Sequence, residues 1–192
     1  MRIGEIKAQA LMLMYPNNPI KYDPTDEGVR NALFQLKCNP GLEGPLEGAT
    51  GAINRAIAEI ETMGLSPIKC VDIASSICEK RGDGSLIIKA SPDFLSVESL
   101  LCHTGGKTYA IGYQLLGDSL ITSWTKGVFT LIYRSKIPRI TSVTDDAYRL
   151  DLPMGLCQLI PYFIKAELFA QEDSEGARES REIFNRGLEK TA

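Results

Sequence analysis

The stretch MGLCQLIPYFIKAELFAQ, residues 154–171, is apolar almost all the way round a helical wheel. Gln158 and Lys165, seven apart, share one narrow polar stripe, and Glu167 stands nearly alone elsewhere. Cys157, Pro161, Ile164 and Leu168 form one apolar face. Leu156, Leu159, Phe163, Ala166 and Ala170 form another. A helix apolar on every side is normally buried on every side. A chain of 192 residues finds that hard to achieve within one subunit. Two coverings compete: a central helix between a sheet and the terminal helices, or a face that meets a neighbouring subunit. The second makes Leu156, Leu159, Phe163, Ala166 and Ala170 candidate subunit-interface residues. Pro161 removes one intrahelical hydrogen bond and is expected to kink this helix or divide it.

The remaining sequence places this helix in an α+β chain, read as a single domain over residues 1–192. Ile3, Ile6, Ala10 and Leu13 recur on one face of a first helix, from about Arg2 to Tyr15, which Pro16 stops. A Pro/Gly-rich arm follows at 16–49, with a short helix expected on Val29, Ala32, Leu33 and Leu36. Arms this long are uncommon unless they carry function. In TGAINRAIAEIETMG, Thr50 is read as a cap, Ile53, Ala56, Ile57 and Ile60 as the buried stripe, and Gly64 as the left-handed stop. From about 67 to 140 the pattern turns to strand. The runs IKCVDIAS, SLIIKA, FLSVESLLC, KTYAIGYQLL, SLITSW and VFTLIYRS are separated by turns at RGDG, HTGG, LGDS and TKG. Connections this short make neighbouring strands antiparallel, as a meander or small sandwich. A C-terminal helical hairpin is expected over 151–190. Asp151 is read as the first helix's cap, and Ala177, Phe184 and Leu188 as the packing side of the second.

Chemistry-bearing motifs are weak. CHTGGKT, residues 102–108, holds the chain's only histidine and the tail of a phosphate loop. The position of that loop's first glycine is Leu101, and a strand pattern follows where a helix N-terminus is required. Cys102 and His103 are adjacent in a strand and so diverge to opposite faces, leaving the thiol without its base. The stretch therefore reads as a hairpin turn. Asp145, Asp146 and Asp151 read as a solvated loop plus a helix cap. The five cysteines, Cys38, Cys70, Cys78, Cys102 and Cys157, are dispersed without CxxC and read as reduced thiols. No catalytic residue, metal or cofactor is assigned. With a net charge of −3 and scattered Lys and Arg, no nucleic-acid surface is indicated. MRIGEIKAQALMLMY, interrupted by Glu5, Lys7 and Gln9, reads as neither signal peptide nor membrane span.

From Trp124 onward the order is a strand with Tyr, a Pro, a stretch of Asp and Thr, then Leu-Pro, the apolar helix, the acidic turn QEDSE and an Ala/Phe-bearing last helix. This ending resembles virion proteins of tailed bacteriophages and prophages of the head-to-tail connector type, the adaptors that dock beneath the portal ring. MRIGEIKAQALMLM and GAINRAIAEIE are similar to the opening helices of uncharacterised phage proteins of that group. The resemblance covers both ends and the β middle only loosely. It implies non-catalytic structural work in an oligomer. The partners would be other copies of the chain and portal or neck proteins, first in the host cytoplasm and then in the virion. A neck stopper or tail-completion protein is a second position. The competing class is a soluble binding module with a β pocket lined by Phe94, Tyr109, Tyr113, Trp124 and Phe129.

Overall fold

The computed structural model describes residues 1–17, 27, 28, 31, 34, 43–144 and 146–192. The short helix expected on Val29, Ala32, Leu33 and Leu36 therefore lies outside the described residues, as do Cys38 and Asp145. The chain is α+β, as the change of periodicity implies. The described residues form two compact units: Met1–Leu65 with Ile137–Ala192, and Ser66–Lys136.

The first unit is helical. Its elements are α1 (Ile3–Met14), α2 (Glu43–Thr62), α3 (Met154–Cys157), α4 (Ile160–Leu168) and α5 (Ser174–Glu189). The α1 stripe is as read, with Ile3, Ile6 and Ala10 fully buried. Its first N–H groups lack intrahelical partners. Ile3 donates to the Tyr148 carbonyl at 3.0 Å and Gly4 to the Asp146 carbonyl at 2.9 Å. Asp146 also accepts from Lys7 Nζ at 2.8 Å, so it ties α1 to this loop and is not merely solvated.

Helix α2 corrects the arm. It starts at Glu43, so residues 43–49 are helical and Thr50 lies inside the helix instead of capping it. Pro45 stands in the first turn, where a missing N–H breaks no bond. Gly48 is a packing glycine: a Cβ there would lie 3.0 Å from Leu168 Cδ2. Ala52, Ile53, Ala56, Ile57 and Ile60 are fully buried. Gly64, at φ +70°, ends the helix, with Gly64 N–H bonded to the Glu61 carbonyl and Leu65 N–H to the Ile60 carbonyl.

The apolar run does divide at Pro161, which sits in the first turn of α4. Asp151 is not its cap. The residue preceding α3 is Pro153, and Cys157 and Leu156 N–H groups bond to the Pro153 carbonyl. Asp173 caps α5, accepting from Gly176 N–H at 2.9 Å. Phe163 and Phe184 meet edge-to-face at 4.9 Å, closing the α4–α5 hairpin. Arg181 lies 4.7 Å over the Phe163 ring while its guanidinium holds both Glu59 oxygens at 2.7 Å.

The second unit has eight strands among the described residues: β1 (Ile68–Ala74), β2 (Glu79–Lys80), β3 (Leu86–Lys89), β4 (Phe94–Thr104), β5 (Lys107–Ala110), β6 (Gln114–Leu116), β7 (Ser119–Thr122) and β8 (Val128–Ser135). They form two antiparallel sheets, ordered β1-β8-β4-β5 and β2-β3-β7-β6. Leu86, Ile88 and Leu120 from one sheet share a core with Leu100, Cys102, Phe129 and Leu131 from the other. The run KTYAIGYQLL is two strands in different sheets, with Ile111, Gly112 and Tyr113 making the crossing.

Candidate interaction surface

The proposed interface residues do not form one exposed face. Leu156 and Phe163 are buried in the helical unit's own core, as are Cys157, Ile160 and Ile164. The covering comes from α1, α2 and α5, each of which packs on α4. Three helices of the same unit thus satisfy the all-round apolar helix, which corrects the assignment of Leu156 and Phe163 to a subunit contact. Leu159 is half-buried, Ala166 is half-buried and Ala170 is exposed.

Leu159 belongs instead to a groove that the sequence reading did not delimit. It is an open concavity of about 710 Å³ between α1, the α3–α4 break and α5. Met12 and Leu13 line one side, Leu159, Pro161 and Tyr162 the floor, and Ile183 the other side. Met12 and Ile183 are exposed, and Met154 beside Gly155 is 58% exposed. Gln9, Gln158 and the Tyr162 hydroxyl add polar atoms, and no lining side chain is charged. Gly155 and Gln158, which precede α4, also line the groove. The Leu159 side chain fits against Gly187 of α5, where a Cβ would come within 2.4 Å of Leu159 Cδ2. An apolar, uncharged groove of this kind suits a helix or apolar side chains of another protein.

The β unit settles the motif at 102–108. Thr104 and Lys107 close a two-residue turn with Gly105 at φ +57° and Gly106 at φ +74°, the left-handed pair such hairpins require. Strand β5 follows, so no helix N-terminus faces the Lys-Thr pair. Cys102 is fully buried, its thiol donating towards the Lys126 carbonyl at 3.4 Å. Burial pushes the Cys102 and Cys157 thiols up, the opposite of an activated thiolate. His103 lies on the other face of the strand. Its Nδ1 is 2.8 Å from Thr108 Oγ1, its Nε2 is 2.8 Å from Thr130 Oγ1, and Thr130 donates to Asp72 Oδ1. Thr108 and His103 are a non-hydrogen-bonded pair of the hairpin, which brings their side chains close. The row Asp72–Thr130–His103–Thr108 crosses all four strands of the sheet.

The five aromatic residues of the binding-module reading do not line one pocket. Phe94 and Phe129 are buried in the sandwich core, and Phe94 stacks on Tyr133 at 5.9 Å. Tyr109 packs on Trp124 at 5.3 Å at the β5 edge, and Tyr113 is exposed. Cys70, Cys78, Cys102 and Cys157 are free thiols. Among the described residues, no group of three His, Cys, Asp or Glu side chains is placed to hold a metal ion. No described helix is long and apolar enough to cross a membrane.

A scan of protein-family models finds no match to this chain, and a search of curated proteins finds none either.

Proposed function

We propose that this chain is a non-catalytic structural protein of a phage or prophage virion, assembling at the head–tail junction through its helical unit. The observation that carries this reading is the apolar groove formed by Met12, Leu13, Leu159, Tyr162 and Ile183. Its lining supplies shape and apolar area but no acid–base pair, which suits docking better than chemistry. Of the stretches that resemble connector proteins, MRIGEIKAQALMLM, GAINRAIAEIE and the part of the ending from Ile137 onward belong to the helical unit. The occupant in this reading is a helix of another copy of the chain or of a portal or neck protein.

Mass spectrometry of particles purified from an induced lysate of the source organism tests it. The reading expects the chain at a low, fixed ratio to the major capsid protein. Recovery only in the soluble fraction overturns it. Exposed groove residues give the second arm: Ile183→Asp and Met12→Asp are expected to leave the melting temperature within a few degrees and to remove the chain from particles. Normal incorporation of both variants would take the groove out of assembly.

A further inference from the structure

The β unit carries an open strand edge whose hydrogen-bonding groups can be assigned. Ser135 N–H bonds to the Pro67 carbonyl at 2.9 Å, and Ser75 N–H bonds to the Gly127 carbonyl at 3.0 Å. With the register Ile68↔Arg134 to Ala74↔Val128, the ladder to β8 therefore uses the odd-numbered residues of β1. The N–H and C=O groups of Ile68, Cys70 and Asp72 point the other way. Among the described residues no strand pairs with that side. Proline, irregularity or shortness usually guards such an edge. This one runs for seven residues, contains no proline, and pairs with β8 without a register shift.

A second observation concerns side chains. Val71 and Ile73 lie on the face shared with buried Phe129 and Leu131, yet Val71 is exposed. Together with Ile77, Cys78 and Ile87 they line an open cleft of about 300 Å³, with the Lys89–Glu79 ion pair at its rim. Ile77 is 77% exposed. The free backbone edge and the unfilled apolar cleft thus meet on the same strand.

We propose that β1 takes an extended segment of a partner protein as an added strand, whose alternate apolar side chains fill this cleft. The main-chain bonds to Ile68, Cys70 and Asp72 hold the segment, and the cleft selects it. Side chains opposite Val71 and Ile73 share their face and are apolar. The partner segment is apolar-x-apolar, read in either direction.

A second copy of β1 is the poorer occupant. Two-fold antiparallel pairing centred on Val71 sets Lys69 of one copy opposite Ile73 of the other, and pairing centred on Cys70 sets it opposite Val71. Pairing centred on Asp72 places two carboxylates face to face. The inference is independent of the virion reading, because it concerns the segment's chemistry and not the particle that supplies it.

The probe is an acetylated heptapeptide alternating threonine with valine, valine and serine. The control has the same composition with the valines adjacent. Titration into the full chain is followed by calorimetry and by amide chemical shifts. Binding of the alternating peptide alone, with shifts centred on Ile68, Cys70 and Asp72, is expected. Cys70→Pro removes an outward N–H without touching the β8 ladder and is expected to weaken binding at least roughly tenfold, the equivalent of about one main-chain bond. Cys70→Ser keeps the affinity. Ile77→Asp, at an exposed position that does not threaten folding, also weakens it. Failure of the peptide to bind, equal binding of the control, or indifference to both Cys70→Pro and Ile77→Asp would overturn the proposal. Self-association of the chain abolished by Cys70→Pro would give the edge to a second copy and overturn it as well.

Discussion

Asn54 and Ile140, 86 residues apart, are joined by a two-way bond. The Asn54 Nδ2 donates to the Ile140 carbonyl at 2.7 Å, and its Oδ1 accepts the Ile140 N–H at 2.9 Å. A side-chain amide thus replaces one rung of a sheet, fixing the returning chain on α2. Two turns further along the same helix lies Glu61, which accepts the Ile137 N–H at 2.8 Å and pairs with Arg139.

Asn54→Ala leaves both Ile140 groups without their partner. The expected loss is about 2 kcal/mol of unfolding free energy. Asn54→Asp keeps the acceptor but not the donor and is expected to fall between the two. Urea denaturation followed by far-UV circular dichroism separates the three proteins by their midpoints. Equal midpoints would mean that solvent replaces both bonds.

Gly127 sits at φ +123°, and a Cβ there would stand 2.7 Å from the His103 carbonyl oxygen and 2.8 Å from Cys102 Sγ. Backbone strain and backbone overlap add in this case. Gly127→Ala is expected to cost about 2 kcal/mol or more, on the scale of one strained residue together with overpacking. Cys102→Ala in the same chain relieves the sulfur contact but not the carbonyl one. Differential scanning calorimetry of the single and double variants would show only partial recovery.

Asp93 is held well below the ordinary carboxylate range, at about 2, by Lys69 first and then by the Ser91 and Tyr133 hydroxyls. A carboxyl group with a lowered folded-state pKa adds stability that is fully present above its unfolded value. That contribution is lost as pH falls from about 4 through 2. Asp93→Asn is therefore expected to lower stability at pH 7 and to flatten the acid limb of the profile below pH 4. Parallel curves for the two proteins would remove Asp93 from the acid response.

Phe163 and Ile183 distinguish core from groove. Phe163→Asp buries a charge at a position with no exposure and is expected to unfold the helical unit. Ile183→Asp, at 39% exposure, is expected to change the unfolding free energy by about 0.5 kcal/mol or less. Leu159→Asp falls between, because Leu159 has one side on Gly187 and the other on the groove. Soluble, cooperatively melting Phe163→Asp protein would refute the burial assigned to α4.

The legible parts of this fold were those with local causes. The 3.6-residue stripes of α1, α2 and α5, the Gly64 stop, the Pro161 division and the Gly105-Gly106 hairpin each depend on residues a few positions apart. The first turns of α2 were hidden because EGPLEG has the composition of a loop; packing against Leu168 overrides that composition at Gly48. The two-residue β2 is too short to leave a period, and the β5–β6 crossing looks like a continuous strand until Ile111 turns inward. The groove was half legible. Leu159 was named, but as part of a face with Leu156 and Phe163, because a helical wheel cannot tell which neighbours arrive on which side. Met12 and Ile183 carry no pattern of their own; they stand at the margins of stripes that are otherwise buried.

The bond between Pro67 and Ser135 has a topological consequence. The first and last strands of the β unit lie side by side, so the chain leaves the helical unit and comes back at nearly the same point. A segment with adjoining ends behaves as a cassette. It can be excised and bridged by a few residues, or exchanged for another, without requiring α2 and α3 to be respaced. The surface that recognises one partner could then diversify while the scaffold carrying it stays constant.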